Sequence, residues 1–411
     1  MKRNYSLVLL ILIIFFVISF LTNILGALNP SVSLSFNLSE TMAGLLPFAF
    51  FIAYGVMSIP AGFMLEKFGE KKVLSLAFLL AFLGSLVFTL FPSFTMFLIS
   101  LFAIGSGMAM LQVVINPLLR VSGGEEHYAF NSVLAQLVFG AASFVSPMVY
   151  TWLVTDTGVQ TKHGLAKILT ALVPENMSWL ALYVLFSLMS LIMILVILSI
   201  KFPEMELKED EKVGTKASYF ELFKNKTVVL FFLGIFAYVG LEQGISYWMS
   251  KFLQIYHGYD FKTVGASTVA NFWGLMTLGS ILGLVLLKLI DSKLVLRYFT
   301  LAAIISFSFG LFGSAQWSLY GFQFSGFFLA VMYPIIISLA LNSVKTHHGA
   351  FAGILMSGIM GGAVVQVLIG LISDLTSLKI GMSFVFISLI YILSVSIWAK
   401  PIVKNKTLIS H

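Results

Sequence analysis

The chain has 411 residues, of which 59% are hydrophobic and 10% are charged, and its mean hydropathy is +1.01. A soluble protein carries roughly 25% charged residues, so this composition excludes a soluble enzyme, a nucleic-acid-binding protein and a disordered chain. There are no cysteines, which excludes disulfides and thiolate metal sites. The composition indicates a protein that crosses a lipid bilayer several times.

Twelve apolar runs are long enough to cross a bilayer, which takes about 20 residues in a helix. Runs such as Leu7–Ile18 are apolar on every side, which indicates helices and not the alternating strands of a barrel. The first run follows Met1, and no small-residue cleavage site follows it, so we expect a retained helix and not a signal peptide. The predicted spans are 6–28, 43–65, 73–91, 95–119, 129–154, 179–200, 227–254, 263–288, 294–315, 318–342, 349–373 and 380–399.

The lysines and arginines predict the orientation, because cytoplasmic loops are enriched in them. With the N-terminus in the cytoplasm, 19 of the 24 fall on the cytoplasmic side. The other five are Lys162, Lys167, Lys251, Lys262 and Lys379. We therefore expect a multi-pass protein of the bacterial inner membrane with both termini cytoplasmic, and the net charge of +7 needs no nucleic-acid partner.

A polar segment at 201–226 divides the spans into six and six, and its composition cannot bury a core. The predicted domains are a six-helix bundle at 1–200, a cytoplasmic linker at 201–226, and a second six-helix bundle with a short cytoplasmic tail at 227–411. Landmarks recur between the halves at offsets of 217 to 221 residues: Pro117 with Pro334, Gly62 with Gly283, Gly140 with Gly361, and Asn23 with Glu242.

Two parallel six-span halves related by an axis normal to the bilayer are typical of major facilitator transporters, which hold substrate between the halves. We therefore predict an all-α membrane protein in which twelve transmembrane helices form two pseudo-symmetric six-helix bundles, the major facilitator fold. We expect it to act as a monomer.

The loop after span 2 resembles the facilitator signature of a glycine, an acid, a base, a second glycine and paired bases. Gly62 permits close helix approach, and Glu66 with the lysines can form a charge latch between helices. The alternative is an ordinary positive-inside turn. The predicted conformational latch comprises Gly62, Glu66, Lys67, Gly69, Lys71 and Lys72.

One of the 17 acidic residues, Glu242, lies near the centre of a span, whereas the others lie in loops or at span ends. An acid inside the membrane is a functional candidate, because its charge is costly there. Tyr238 and Ser246 share its helical face. The alternative is a structural carboxyl that fixes helix packing through hydrogen bonds.

Amides in several other spans predict a polar chamber. Amides hydrogen bond hydroxyls in both directions, and an indole ring packs on the apolar face of a sugar, so the set suits a neutral polyol. Each amide alone could instead hold helices together. The predicted substrate-binding residues are Asn23, Gln112, Asn116 and Gln136 from the first half, and Glu242, Asn271, Trp273 and Gln366 from the second.

Catalytic and metal-binding patterns are absent from the sequence. The six histidines fall in loops or the tail, no cluster of metal ligands is visible, and no P-loop occurs. We expect no metal, no cofactor and no enzymatic activity.

Segments of both halves resemble the fucose–galactose–glucose:proton symporter family of the major facilitator superfamily. The resemblance covers most of the chain and implies a sugar carrier that works by alternating access. The segments that carry it are Tyr238 to Ser246, Phe272-Trp273-Gly274, Met332-Tyr333-Pro334, Ser338 to Leu341, Gly353-Ile354-Leu355, Gly361-Gly362-Ala363, Gln112 to Pro117, and Ala135-Gln136.

The chain departs from that family at positions implicated in coupling. Family members similar to the fucose carrier place carboxylates in spans 1 and 4, where this chain has Asn23 and Gln112. An asparagine of the family matches Phe139, and an arginine matches Ser280. Glu242 is therefore the one membrane-buried group that can carry a proton.

From these features we predict proton symport of a hexose or deoxyhexose-like sugar, with Glu242 as the coupling residue. Uncoupled sugar diffusion, sodium coupling, and export of another small amphiphile remain open alternatives. A membrane enzyme or receptor would need a loop domain, and the longest loops reach only about 25 residues.

Overall fold

The structure, a computed structural model, describes residues 4–123, 128–155, 164–200, 202, 216–344 and 348–402. Twelve helices in this part of the chain are long and apolar enough to cross a membrane, which confirms the all-α prediction, and the described residues form no strand. Spans 1 to 12 are Tyr5–Phe36, Glu40–Phe68, Glu70–Leu90, Phe94–Leu119, Asn131–Val154, Glu175–Ser199, Lys226–His257, Phe261–Leu289, Ser292–Phe312, Ala315–Leu341, Gly349–Leu375 and Leu378–Trp398.

Several spans are built from more than one helical piece. Span 1 consists of Tyr5–Thr22 and Leu25–Phe36. Span 6 begins with the 3₁₀ segment Glu175–Leu180, span 8 begins with the π-helical turn Phe261–Gly265, and span 10 consists of Ala315–Leu329 and Met332–Leu341. Span 11 consists of His348–Ser357, Gly358–Met360 and Gly361–Leu375, and span 12 of Leu378–Ser383 and Val385–Trp398. In the described part of the chain, two short helices lie outside the spans, at Leu165–Ala171 and Lys216–Lys224.

Span 1 is longer than its predicted range of 6–28, because its second piece continues to Phe36. The extension contains Asn29, Ser31 and Ser33, which weaken the apolar signal in the sequence. All three side chains are buried and bonded to other helices, so the polar groups cost little there.

The packing divides the spans into two bundles with matching internal contacts. In the first bundle span 1 packs on span 5, span 2 on span 4, and span 3 on spans 4 and 6. In the second bundle the corresponding pairs pack in the same way: span 7 on 11, span 8 on 10, and span 9 on 10 and 12. This correspondence gives the bundles their pseudo-two-fold relationship.

The bundles touch each other through spans 1 and 7, spans 2 and 11, and spans 5 and 8. Hydrogen bonds between described residues of the two bundles lie towards one end, where span 1 meets span 2 and span 7 meets span 8. We call this the closed end and the opposite end, where spans 2 and 3 meet, the open end. Spans 2 and 11 stay in contact as far as Ile59 and Gly353.

Residues 1–3, most of the predicted linker and the tail 403–411 lie outside the described residues. The predicted domain boundaries at 200 and 226 therefore stay predictions.

Candidate functional site

Glu242 lies midway along span 7 and is partly exposed. The hydroxyl of Tyr238, one turn earlier on the same helix, donates to Glu242 Oε1 at 2.6 Å. Its second oxygen, Oε2, has a long contact of 3.4 Å with Gln243 Nε2. One carboxyl oxygen is thus firmly held, and the other keeps most of its capacity to accept a hydrogen bond.

A tyrosine of span 10 lies near this carboxyl, and a tyrosine of span 2 lies beyond it. The ring of Tyr333 in span 10 lies 5.6 Å from the ring of Tyr238, and its hydroxyl is 3.6 Å from Met356 Sδ in span 11. Tyr54 of span 2 interacts with Thr22 of span 1 and lies near Tyr333. Glu242 therefore sits beside the seam between the two bundles.

Gln136 of span 5 is exposed and faces this seam. It shares a helical face with Gly140 and Ser143, which contact span 8 and span 1 respectively. The exposed apolar residues Val145 and Trp152 lie on the opposite face of the helix. Gln136 therefore points between the bundles, one turn towards the open end from Gly140, and not towards lipid.

In span 4, the residues between 108 and 119 that are not buried form a single strip. The strip contains Gln112, Val113, Asn116 and Pro117, and Asn116 is the most exposed of them. The Asn116 amide donates to the Gln112 carbonyl at 3.2 Å. Exposed amides in the membrane are costly unless they face water or a polar ligand, so this strip fits a wet chamber.

Asn23 does not reach this accessible space and is 4% exposed. It forms the break in span 1, and its amide donates to Ser143 in span 5 at 2.8 Å. Ser143 also bonds Ser19, whose hydroxyl donates to the Phe139 carbonyl at 2.5 Å. This network fastens span 1 to span 5 behind the chamber.

Trp273 and Gln366 are also buried, at 4% and 0% exposure. The Gln366 Oε1 accepts from Trp248 Nε1 at 2.8 Å, and its Nε2 has no hydrogen-bond partner among the described residues. Within the described part of the chain, the Trp273 Nε1 has no hydrogen-bond partner either. A buried donor without an acceptor is unfavourable, so both groups have capacity for a water or a ligand hydroxyl.

Asn271 lies on a different face of span 8 from Trp273, because side chains two positions apart in a helix point about 200° apart around its axis. It is exposed and shares its face with Leu278 and Leu282, seven and eleven residues later, which are exposed as well. The exposed leucines on this face are typical of contact with lipid. A role for Asn271 in the substrate site stays a prediction.

A polar cluster that was not predicted from the sequence joins the bundles at the closed end. Lys251 Nζ of span 7 lies 2.7 Å from Glu40 Oε2 of span 2 and 3.3 Å from Ser33 Oγ of span 1. Asp374 of span 11 accepts from the backbone N–H groups of Glu40 and Thr41, both at 2.8 Å. The only sequence signal was that Lys251 breaks an otherwise apolar run.

A second layer of contacts lies one turn further inside. The Tyr247 hydroxyl donates to the Ala43 carbonyl at 2.6 Å, and the Asn29 amide donates to the Tyr247 carbonyl at 3.1 Å. Glycines allow the backbones to touch here. A Cβ at Gly44 would lie 2.6 Å from the Gln366 carbonyl oxygen, and one at Gly26 would overlap the Ser246 carbonyl.

The predicted latch residues lie at the open end, where span 2 turns into span 3. Gly69 has a φ of 77°, which favours glycine. The Lys71 ammonium donates to the carbonyls of Leu198 and Ile200 at 2.7 and 3.0 Å, so it caps span 6 within the same bundle.

The other latch residues occupy the same turn. Gly62 is buried, the Lys67 ammonium lies 5.3 Å from the Phe68 ring, and Lys72 is exposed. Glu66 lies near Tyr219 of the helix Lys216–Lys224; burial raises the pKa of that tyrosine to about 12, and Glu66 adds to the rise. A role in conformational change stays a prediction.

A family model decides the classification, since residues 11–367 match the model described as Major Facilitator Superfamily. The chain belongs to the Major Facilitator Superfamily. It is therefore a membrane transporter and not an enzyme, as the sequence predicted.

Curated relatives within the superfamily match nearly the whole chain. A glucose/galactose transporter of Brucella abortus is 28% identical over 401 residues, which cover 95% of this chain and 93% of that protein. The L-fucose-proton symporter of Escherichia coli is 26% identical over 381 residues, which cover 88% and 85%. These matches confirm the resemblance seen in the sequence.

A crystal structure of the Escherichia coli fucose:proton symporter has the same fold. The two superimpose with a TM-score of 0.67 and 21% sequence identity, covering 96% of this chain and 98% of that one. The match confirms the predicted arrangement of twelve transmembrane helices in two pseudo-symmetric bundles.

Proposed function

We propose that this protein carries a hexose or deoxyhexose-like monosaccharide across the bacterial inner membrane, and that a proton moves with the sugar through Glu242. The observation that carries the proposal is the partly exposed Glu242 carboxyl, held by Tyr238 beside the seam between the bundles. It is the one acidic residue near the centre of a span.

The chemistry around the seam supports a neutral, hydroxyl-rich substrate. Gln112, Asn116 and Gln136 offer accessible amides that donate and accept, and Tyr333 offers an aromatic ring. The names of the relatives, glucose/galactose transporter and L-fucose-proton symporter, support the same substrate class. The buried residues Asn23, Trp273 and Gln366 would lie behind the accessible side chains and form the back wall of the site.

The contacts between the bundles support transport by alternating access. Hydrogen bonds and close backbone approaches join the bundles at the closed end, while accessible amides lie towards the open end. Rocking of one bundle against the other would exchange the two ends around a site at the midplane. All of the proposed site residues belong to one chain, which supports a monomer as the working unit.

The distribution of lysine and arginine supports a cytoplasmic open end. Of the 24 lysines and arginines, 19 belong to the side of the membrane that holds the N-terminus, and the open end is on that side. By the positive-inside rule both termini are then cytoplasmic. The structure would represent the carrier open towards the cytoplasm.

The test is uptake of labelled sugars into proteoliposomes with and without an inwardly directed proton gradient. We expect the gradient to drive accumulation, Glu242→Gln to abolish accumulation, and Glu242→Gln to retain exchange of labelled for unlabelled sugar. Glu221→Gln is the matched control, because Glu221 is exposed on the short helix Lys216–Lys224.

Other outcomes separate the rival functions. If the rate of sugar uptake is the same with and without the proton gradient and in Glu242→Gln, the protein is an uncoupled facilitator. If uptake depends on a sodium gradient, sodium is the coupling ion. If no sugar of the panel is transported or stabilises the protein, export of another amphiphile becomes the better explanation.

A further inference from the structure

We propose that Tyr238 is a positioning residue for proton coupling: it holds Glu242 Oε1 and thereby leaves Oε2 as the oxygen that meets the proton and the sugar. The inference rests on the proposed function, since it assigns a role within the same site. The residue acts through Glu242 and does not itself touch substrate.

The two side chains differ in their exposure. Tyr238 is 3% exposed, whereas Glu242 is partly open to the space between the bundles. The Tyr333 ring lies against the Tyr238 ring, on the path from span 10. Tyr238 is therefore largely shielded, whereas the Glu242 side chain is accessible.

The two oxygens of the Glu242 carboxyl are held unequally. Oε1 accepts a short hydrogen bond of 2.6 Å, which is typical of an O–H donor on a carboxylate. Among the described residues, Oε2 has only the 3.4 Å contact with the neighbouring Gln243, a residue that is 6% exposed. Proton uptake and sugar binding are thus directed to Oε2.

No competing charge faces the carboxyl from the described residues. The titratable groups that face Glu242 are Tyr238 of its own span and Tyr333 of span 10, with Tyr54 of span 2 beyond Tyr333. Span 11 packs on span 7 through Gly361 and Val365, which do not titrate. Among the described side chains, Tyr238 is therefore the main group that can stabilise the ionised carboxyl.

A hydrogen bond donated to a carboxylate favours its ionised form. Removing the donor should let Glu242 stay protonated at higher pH, so that proton-driven uptake persists to higher pH. We expect Tyr238→Phe to move the pH at half-maximal uptake upward by roughly one unit. Replacing Tyr238 with a fluorinated tyrosine, a stronger donor of nearly the same shape, should move it downward.

The experiment measures the pH profile of sugar uptake in proteoliposomes for the wild type and for both replacements of Tyr238. The matched control is Tyr391→Phe, which loses a half-buried hydroxyl that donates to the Leu230 carbonyl at 2.9 Å, away from Glu242. A double variant, Tyr238→Phe with Glu242→Gln, should match Glu242→Gln alone in sugar exchange, because Tyr238 acts only through the carboxyl.

The outcomes separate this inference from the proposed function. If the wild type shows proton-driven uptake but both replacements leave its pH profile unchanged, the role of Tyr238 is wrong and the function stands. The role of Tyr238 is also wrong if Tyr238→Phe weakens exchange further in the Glu242→Gln background. If the wild type transports no sugar, the proposed function itself fails. Because the fluorinated residue preserves the shape of the side chain, the test survives misfolding of the phenylalanine variant.

Discussion

Lys251 and Glu40 form an ion pair of 2.7 Å between Nζ and Oε2 that joins span 7 of one bundle to span 2 of the other. Their side chains are 11% and 20% exposed. Loss of one partner would leave the other charge poorly compensated. The pair therefore favours the state in which this end is closed.

Glu40→Gln should open the closed end more often. The chain has no cysteine of its own, so a single cysteine at Ala43, which is fully buried, can report opening by its reaction with a membrane-impermeant maleimide. We expect labelling to become roughly tenfold faster. Glu175→Gln, which removes an exposed carboxylate at the same end, is the control. An equal increase of the labelling rate in that control would show that the Lys251–Glu40 pair does not hold this end closed.

Gly44→Ala should act in the same direction through sterics. Its Cβ would lie 2.6 Å from the Gln366 carbonyl oxygen, and a backbone atom cannot give way as a side chain can. The same cysteine at Ala43 should react faster, and sugar exchange should slow. At Gly353 the nearest atom is the Tyr219 hydroxyl at 3.2 Å, so Gly353→Ala should leave labelling unchanged. If Gly44→Ala is labelled at the wild-type rate, the backbones of spans 2 and 11 are not as close at Gly44 and Gln366 as the structure indicates.

Asp374→Ala should destabilise the closed end by removing both acceptors at the start of span 2. Loss of a cap typically costs about 0.5–2 kcal/mol, and the lower half of that range applies because Asp374 is exposed. We expect a lower thermal midpoint in detergent. Asp374→Asn keeps one acceptor and should fall between the wild type and Asp374→Ala. Equal midpoints for all three proteins would rule out a capping contribution.

Gln136→Leu should weaken sugar transport much more than Asn271→Leu. Gln136 faces the seam between the bundles, whereas Asn271 shares a face with exposed leucines. Loss of one hydrogen bond to a buried sugar hydroxyl should raise KM by roughly tenfold. Uptake kinetics of the two variants, made by the same kind of substitution, provide the comparison. A larger effect at Asn271 would overturn the assignment of faces.

The sequence predicted the twelve spans because each needs only length and apolar composition. It predicted site residues less well, because amides at one depth converge only when their helices are rotated suitably. Asn271 illustrates this limit: the leucines at 278 and 282 were visible in the sequence, but which face meets lipid depends on how span 8 packs. Asn23 illustrates a second limit, since its amide bonds Ser143 and helps to fasten two spans.

The ion pair between Lys251 and Glu40 at the closed end could not be predicted from the sequence for a different reason. Glu40 and Lys251 are 211 residues apart, and each alone resembles a charge at the end of a span. Only the approach of span 2 to span 7 makes them partners. The local Tyr238–Glu242 pair, four residues apart on one helix, was predictable from helical periodicity.

The presence of a single carboxyl at the centre of the membrane has an energetic consequence. One such group can exchange one proton per cycle, so coupling through Glu242 would fix the stoichiometry at one proton for each sugar molecule. In vesicles without a membrane potential, the ratio of sugar concentration inside to outside would then be limited to about tenfold for each pH unit of gradient. A steady-state ratio above that ceiling would require a second ion or another source of energy.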